Sequence, residues 1–190
     1  MPHLPSLPDP AHLTDLLARY PAHVPALMAF TNQVMRDSGA LTRAERELIA
    51  AYVSGLNACQ FCHGSHRLYA QVLGIDSAVI DALMADPATA PVDAKLKPLL
   101  AYAAKLNTLP SRLIPADAQA VLNAGWPEAA LFECIEVTAL FNFYNRLIEG
   151  AGVNFAYEST EGHTAFSDGA DMDNSYSSYA DRVLAEAERQ

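Results

Sequence analysis

Three observations on this 190-residue sequence predict an all-α fold. Apolar residues recur at three- and four-residue spacing almost throughout, as the buried face of a helix requires. No stretch shows the sustained alternation, or the Val, Ile and Thr enrichment, of a strand. Glycine stands where helices should stop, with Gly74, Gly125 and Gly150 each near the end of a periodic run.

Taken in order, the periodic runs place helices over about 10–19, 23–37, 42–56, 59–73, 77–85, 91–107, 116–124 and 127–149. The third opens on Thr42 with Glu45 three residues later, the pattern of a capping box. Gly55 and Asn57 are turn and cap residues, so one helix stops there and the next begins. Pro127 sits near the start of the last long run, where proline is tolerated. Beyond Gly150 the composition shifts to Ser, Asp, Glu and Tyr, and only the last dozen residues have helical character. Residues 153–190 read as an acidic surface strap, largely solvated, with a short helix at its end. The acidic spacing from Asp171 suggests a calcium loop, but Tyr176 stands where an EF-hand loop needs its glycine, and that reading is rejected.

The sequence resembles itself at an offset of 50. "RAERELIAAYVSGLN" from Arg43 aligns with "DAKLKPLLAYAAKLN" from Asp93, and Ala44, Ala51, Tyr52, Leu56 and Asn57 recur as Ala94, Ala101, Tyr102, Leu106 and Asn107. This predicts one helical domain over 1–152 built from a duplicated helical hairpin, with one copy at about 21–86 and a degenerate copy at about 91–152. Glu47, Cys59, Cys62 and His66 map onto Lys97, Leu109, Arg112 and Ala116. Whatever chemistry the first copy performs, the second can only support by packing.

Composition narrows the function. Apolar residues make up 51% and charged residues 18%, which is globular rather than disordered and supplies a large core. The net charge of −10 and the scattering of the twelve Lys and Arg argue against a nucleic-acid partner, which needs clustered cations. The start "MPHLPSLPDPAHL" has no basic residue followed by an apolar run, and nowhere do about 18 apolar residues run uninterrupted. The expectation is a cytoplasmic protein with no signal peptide and no membrane span.

The stretch "NACQFCHGSH", from Asn57 to His66, holds two of the three cysteines. Three is too few, and an odd number, for a secreted disulfide framework. Cys59 to His63 matches a haem-attachment string, but that chemistry needs export and the start shows no export signal. Zinc would need Cys59, Cys62, His63 and His66, yet all four lie in one candidate helix and His63 points about 100° away from Cys62, so one segment cannot enclose an ion. Neither metal nor cofactor is assigned. Two packed thiols beside surface histidines are the plain alternative, since free cysteine is often a small buried hydrophobe.

A redox pair makes a geometric demand that these positions meet. Cys59 and Cys62 are three apart, so in a first helical turn both sulfurs face one side and can close a disulfide, and the helix N-terminus favours a thiolate. His66 lies one turn beyond Cys62 on the same face, as a proton acceptor. In an antiparallel hairpin turning at Asn57, Glu47 comes beside His66, where its carboxylate can orient the imidazole and hold it charged. Glu45 is the rival carboxylate, and a glutamate on an amphipathic helix is usually only solvated. His63 points elsewhere and is a candidate secondary contact. Cys134, inside "AALFECIEVTALF", reads as core. Phe141, Phe143 and Tyr144 read as core or subunit packing, with Asn142 and Asn145 among them as cavity candidates.

At Glu47, Cys59, Cys62 and His66 the sequence resembles the carboxymuconolactone decarboxylase and alkylhydroperoxidase D superfamily, whose signature is a glutamate, eleven intervening residues, CxxC, and a histidine four residues after the second cysteine. The resemblance extends from about Pro21 to Gly152, and "ALFNFYNRLIEGAGV" from Ala139 is similar to the peroxidase-related branch. It implies an AhpD-like helical fold, a homo-oligomer (dimer, trimer or hexamer), and a thiol-dependent peroxidase. Carried over by position, Cys62 is the peroxidatic cysteine, Cys59 its resolving partner, and His66 with Glu47 the proton relay. A hydroperoxide would be the substrate and an external dithiol the reductant. The chain departs from alkylhydroperoxidase D proper at Phe61, where that branch tends to carry a histidine, and the departure bears on that branch's proton route and its lipoyl-dependent reductant. True lactone decarboxylases generally lack the cysteine pair, which counts against that reaction. A general thiol–disulfide oxidoreductase, or a non-catalytic helical oligomer whose thiols sense oxidants or pack, are the alternatives.

Overall fold

Helix α1 (Leu13–Arg19) starts behind His12, whose imidazole accepts from the Thr14 N–H at 3.1 Å while Asp15 accepts from the His12 N–H at 2.8 Å. The run expected from residue 10 therefore begins at 13, because the cap is a histidine rather than one of the usual Ser, Thr, Asp or Asn. The computed structural model describes residues 1–157 and 175–189. Among these there are nine α-helices and no strand, as the periodicity predicts.

A 3₁₀ turn (Pro21–His23) leads into α2 (Val24–Arg36), then α3 (Arg43–Leu56), α4 (Gln60–Val72), α5 (Ser77–Ala85), α6 (Leu96–Leu106), α7 (Pro115–Asn123), the long α8 (Glu128–Ala151) and α9 (Ser175–Ala187). The capping box of α3 forms as predicted, with Thr42 accepting from the Glu45 N–H at 3.2 Å and Glu45 from the Thr42 N–H at 2.7 Å. α6 begins at 96 rather than 91, because Asp93 folds the preceding residues into a turn. Its carboxylate accepts from the Lys95 N–H at 2.8 Å and its carbonyl from the Leu96 N–H at 2.9 Å.

Two features place the site. The first is the α3–α4 hairpin, whose turn puts Ala58 at φ 56°, a region L-residues rarely enter. That turn closes through Ala58 N–H to the Gly55 carbonyl at 2.9 Å and Cys59 N–H to the Ser54 carbonyl at 3.0 Å. The second is the α2–α3 connection. Glu133 of α8 accepts the Ala40 and Leu41 N–H groups at 2.8 Å each and pairs with Arg46 at 3.0 Å, which fixes where α3 starts. Gly39 allows this approach, since a Cβ there would lie 2.2 Å from Arg46 Nη2 and 2.5 Å from Glu133 Oε1.

α8 packs against α2, α3, α4, α6 and α7, so its apolar face with Val137, Phe141, Tyr144 and Ile148 forms the spine of the core. At one end of it, Asn57 and Asn107 exchange amide hydrogen bonds at 3.1 and 2.8 Å. These are the two asparagines that the offset of 50 equates.

α9 departs from the reading of a solvated tail. It lies on α1 and α2 and buries Ala180 and Val183 against them. Its apolar positions are spaced by three, and a run of polar serines conceals them in the sequence. Residues 158–174, including the acidic tract at Asp171, are outside the described part. Among the described residues no helix is long and apolar enough to cross a membrane.

Candidate active site

The thiol pair sits at the start of α4. Cys59 is the N-cap and Cys62 the third helical residue, both buried and both reduced. They differ in access. Cys62 lines a cavity of about 250 Å³ and Cys59 does not. His66, one turn on, lines the same cavity.

Behind His66 the hairpin register holds. Glu47 Oε2 lies 2.6 Å from His66 Nδ1, with both side chains buried. Burial raises the Glu47 carboxyl, but the Arg36 guanidinium and then His66 pull it further the other way, so it stays below the ordinary carboxylate value. A carboxylate can only accept, so the imidazole proton is on Nδ1 and Nε2 is left as an acceptor. Glu45, the rival, is spent on the α3 cap.

Arg36, at the end of α2, was not legible as a site residue. It is fully buried, and its Nη1 lies 2.6 Å from Glu47 Oε1. Its guanidinium carbon lies 5.4 Å from the ring centroid of Tyr69 and 4.8 Å from that of Tyr176, and its Nε donates to Ser175 Oγ at 2.9 Å. The site is therefore an Arg36–Glu47–His66 chain in which one carboxylate is shared by a guanidinium and an imidazole, and α9 brings Ser175 and Tyr176 to the guanidinium.

The second half of the fold also reaches the thiols. Asn145 of α8, fully buried, hydrogen-bonds to Cys62, donates to Ser54 Oγ at 3.1 Å and accepts from Asn57 at 2.8 Å. Neither Asn145 nor Asn142 lines the cavity, contrary to the expectation for these amides, and Asn142 donates to Asn107 at 2.7 Å. These amides join the α3–α4 turn to α8.

The charge on the reduced pair is unequal. Donation from the Cys62 thiol pulls Cys59 down, outweighing burial and the opposing carboxylate of Glu149. Cys62 is pushed up, first by acting as that donor and then by burial. The thiolate expected from sequence at this helix N-terminus thus falls to Cys59, with Cys62 moved the other way. The cap position receives the benefit, and the cavity-facing sulfur keeps the proton.

His63 does not face the cavity; its Nδ1 is 2.9 Å from the Ala51 carbonyl on α3. Cys134 is core, as read, with burial pushing its thiol up to about 12. Phe141 and Tyr144 form cavity wall, while Phe143 is half exposed on the opposite side of α8.

No curated protein matches the sequence. Residues 21–105 match the carboxymuconolactone decarboxylase family. Among solved structures, an uncharacterized peroxidase-related protein from Silicibacter sp. TM1040 is similar at 28% identity and a TM-score of 0.63, over 67% of this chain and 66% of that one. The chain therefore spans just under two thirds of that relative. The alkylhydroperoxidase AhpD core of an uncharacterized peroxidase-related protein from Ralstonia eutropha JMP134 has a similar fold, with a TM-score of 0.69, 24% identity and 74% of each chain covered. The family match is confined to residues 21–105, which hold Glu47, Cys59, Cys62 and His66, and the likeness to the Ralstonia structure is one of fold.

Proposed function

We propose that the protein is a thiol-dependent peroxidase in which Cys62 is the nucleophile. The observation that carries this is that Cys62 and His66 share a cavity wall, with His66 held by Glu47 so that its Nε2 is the free acceptor. His66 takes the Cys62 proton. The thiolate attacks a hydroperoxide, the O–O bond breaks as the S–O bond forms, and the leaving alkoxide takes the proton from His66. The products are a Cys62 sulfenic acid and an alcohol. Cys59 then attacks the Cys62 sulfur, expelling water and closing a disulfide, and an external dithiol reduces the pair by exchange. Asn145, donating to Cys62, supports the thiolate while it waits for peroxide.

The lowered Cys59 favours a second reading, thiol–disulfide exchange led by that sulfur. Its burial, away from the cavity, stands against a protein disulfide reaching it. Stopped-flow thiol loss on the reduced protein separates the two. With an organic hydroperoxide the wild type should react fast, Cys62→Ser should lose the reaction, and His66→Ala should slow it about 100-fold or more. A wild type no faster than an ordinary free thiol, yet active on a small disulfide through Cys59, would replace the peroxidase reading with the exchange one.

A further inference from the structure

The chain carries a net charge of −10, with 22 acidic residues, yet among the described residues no Asp or Glu lines the cavity over Cys62. The wall is His12, Phe61, Tyr69, Phe141, Tyr144 and Tyr157, and α9 closes it with Tyr176, Tyr179 and Arg182. Arg182 is the one lysine or arginine among the described lining residues. It is exposed, so it stands at the mouth, and it lies 5.6 Å from the Tyr179 ring centroid. Among the described residues it pairs with no carboxylate; Glu186, one turn on, is taken by Arg189. Tyr176, also in the wall, has a buried hydroxyl with no partner among the described residues. A cation and an idle donor thus stand around an aromatic cup in an otherwise acidic molecule.

We propose that this cavity selects organic hydroperoxides that carry a carboxylate, with the apolar body among the tyrosines, the peroxide group at Cys62 and the carboxylate at Arg182. The proposal rests on the peroxidase reading for its chemistry, which is the step already written, with ROOH now an anion. At about 250 Å³ the space exceeds that of an engineered apolar cavity of about 150 Å³ that admits benzene, so a ring-sized body is accommodated. The selectivity lies in α9, outside the residues that match the family.

The test uses cumene hydroperoxide and its ring 4-carboxylate in stopped-flow thiol loss, and calorimetric binding of the unreactive 4-isopropylbenzoate against 4-isopropylbenzamide. An exposed ion pair at the mouth predicts about a fivefold preference for each carboxylate in the wild type, lost in Arg182→Gln and largely kept in Arg182→Lys. A preference unchanged in Arg182→Gln, or no preference in the wild type, overturns the proposal while leaving any Cys62-dependent reaction intact. If neither hydroperoxide reacts but the benzoate still binds through Arg182, the peroxidase reading fails and the anion site stands.

Discussion

Glu47 decides both the stability and the geometry of the site, because it is a fully buried carboxylate between Arg36 and His66. Glu47→Gln would leave the Arg36 guanidinium buried against a neutral amide. Breaking such a pair costs about 3–5 kcal/mol, so a urea titration at pH 7 should show a large drop in midpoint with little change in slope. The sign with pH follows from the depressed carboxyl. Its stabilisation is complete above the unfolded value of about 4.3, and it is lost as pH falls through the lower folded value. Wild-type stability should therefore decline steeply below about pH 4, and Glu47→Gln should show a shallower decline over the same range. The Glu47–His66 contact was legible because both residues belong to one hairpin, where counting outward from Asn57 gives the register. Arg36 was not, nor was the place of Asn145 beside Cys62, because each reaches the site from a helix whose approach depends on packing across the core rather than on local spacing.

The α3–α4 hairpin turns through Ala58, which holds a positive φ without being glycine. The strain is tolerated because the turn sets two registers at once, Glu47 against His66 and Cys59 at the cap of α4. Ala58→Gly should relieve it, partly offset by a freer unfolded chain, for a net gain of about 0.5–1 kcal/mol in denaturant unfolding. A destabilised Ala58→Gly would mean that the Ala58 methyl packs more than the turn strains. The sequence pointed to a turn here through Gly55 and Asn57, but the residue that adopts the unusual angle is neither of them. Composition shows where a chain bends more readily than which peptide absorbs the bend. The helix boundaries missed by a few residues, at α1 and α6, have the same origin, since His12 and Asp93 act through side-chain hydrogen bonds that periodicity does not register.

For the molecule as a whole, the described fold is a helical core whose site is closed by a helix that follows it. A short helix at the end of the strap was legible, but polar composition concealed how α9 packs, with Tyr176 and Tyr179 lining the cavity while Ala180 and Val183 are buried against the core. Val183→Asp places a charge at a fully buried position and should loosen α9 from its seat. The expected result is severalfold faster alkylation of Cys62 by iodoacetamide, with most of the helical circular dichroism kept. If the alkylation rate stays at the wild-type value, α9 does not control access to the thiol. The reciprocal Asn57 and Asn107 amides meet where the two proposed copies join, so we propose that the duplicated hairpin serves as a counterpart that anchors the catalytic one.

The placement of α9 in the chain has a consequence for how the protein is made. Ribosomes release the cysteine pair more than a hundred residues before they release the helix that lines the cavity over Cys62. At about 5–20 residues per second, the thiols spend several seconds in a nascent chain with Arg36 and Glu47 already emerged but no Tyr176 over them. During that interval small oxidants, free glutathione and chaperones reach sulfurs that the finished protein shields, so the oxidation state in which the pair first becomes enclosed is set by the compartment where translation occurs.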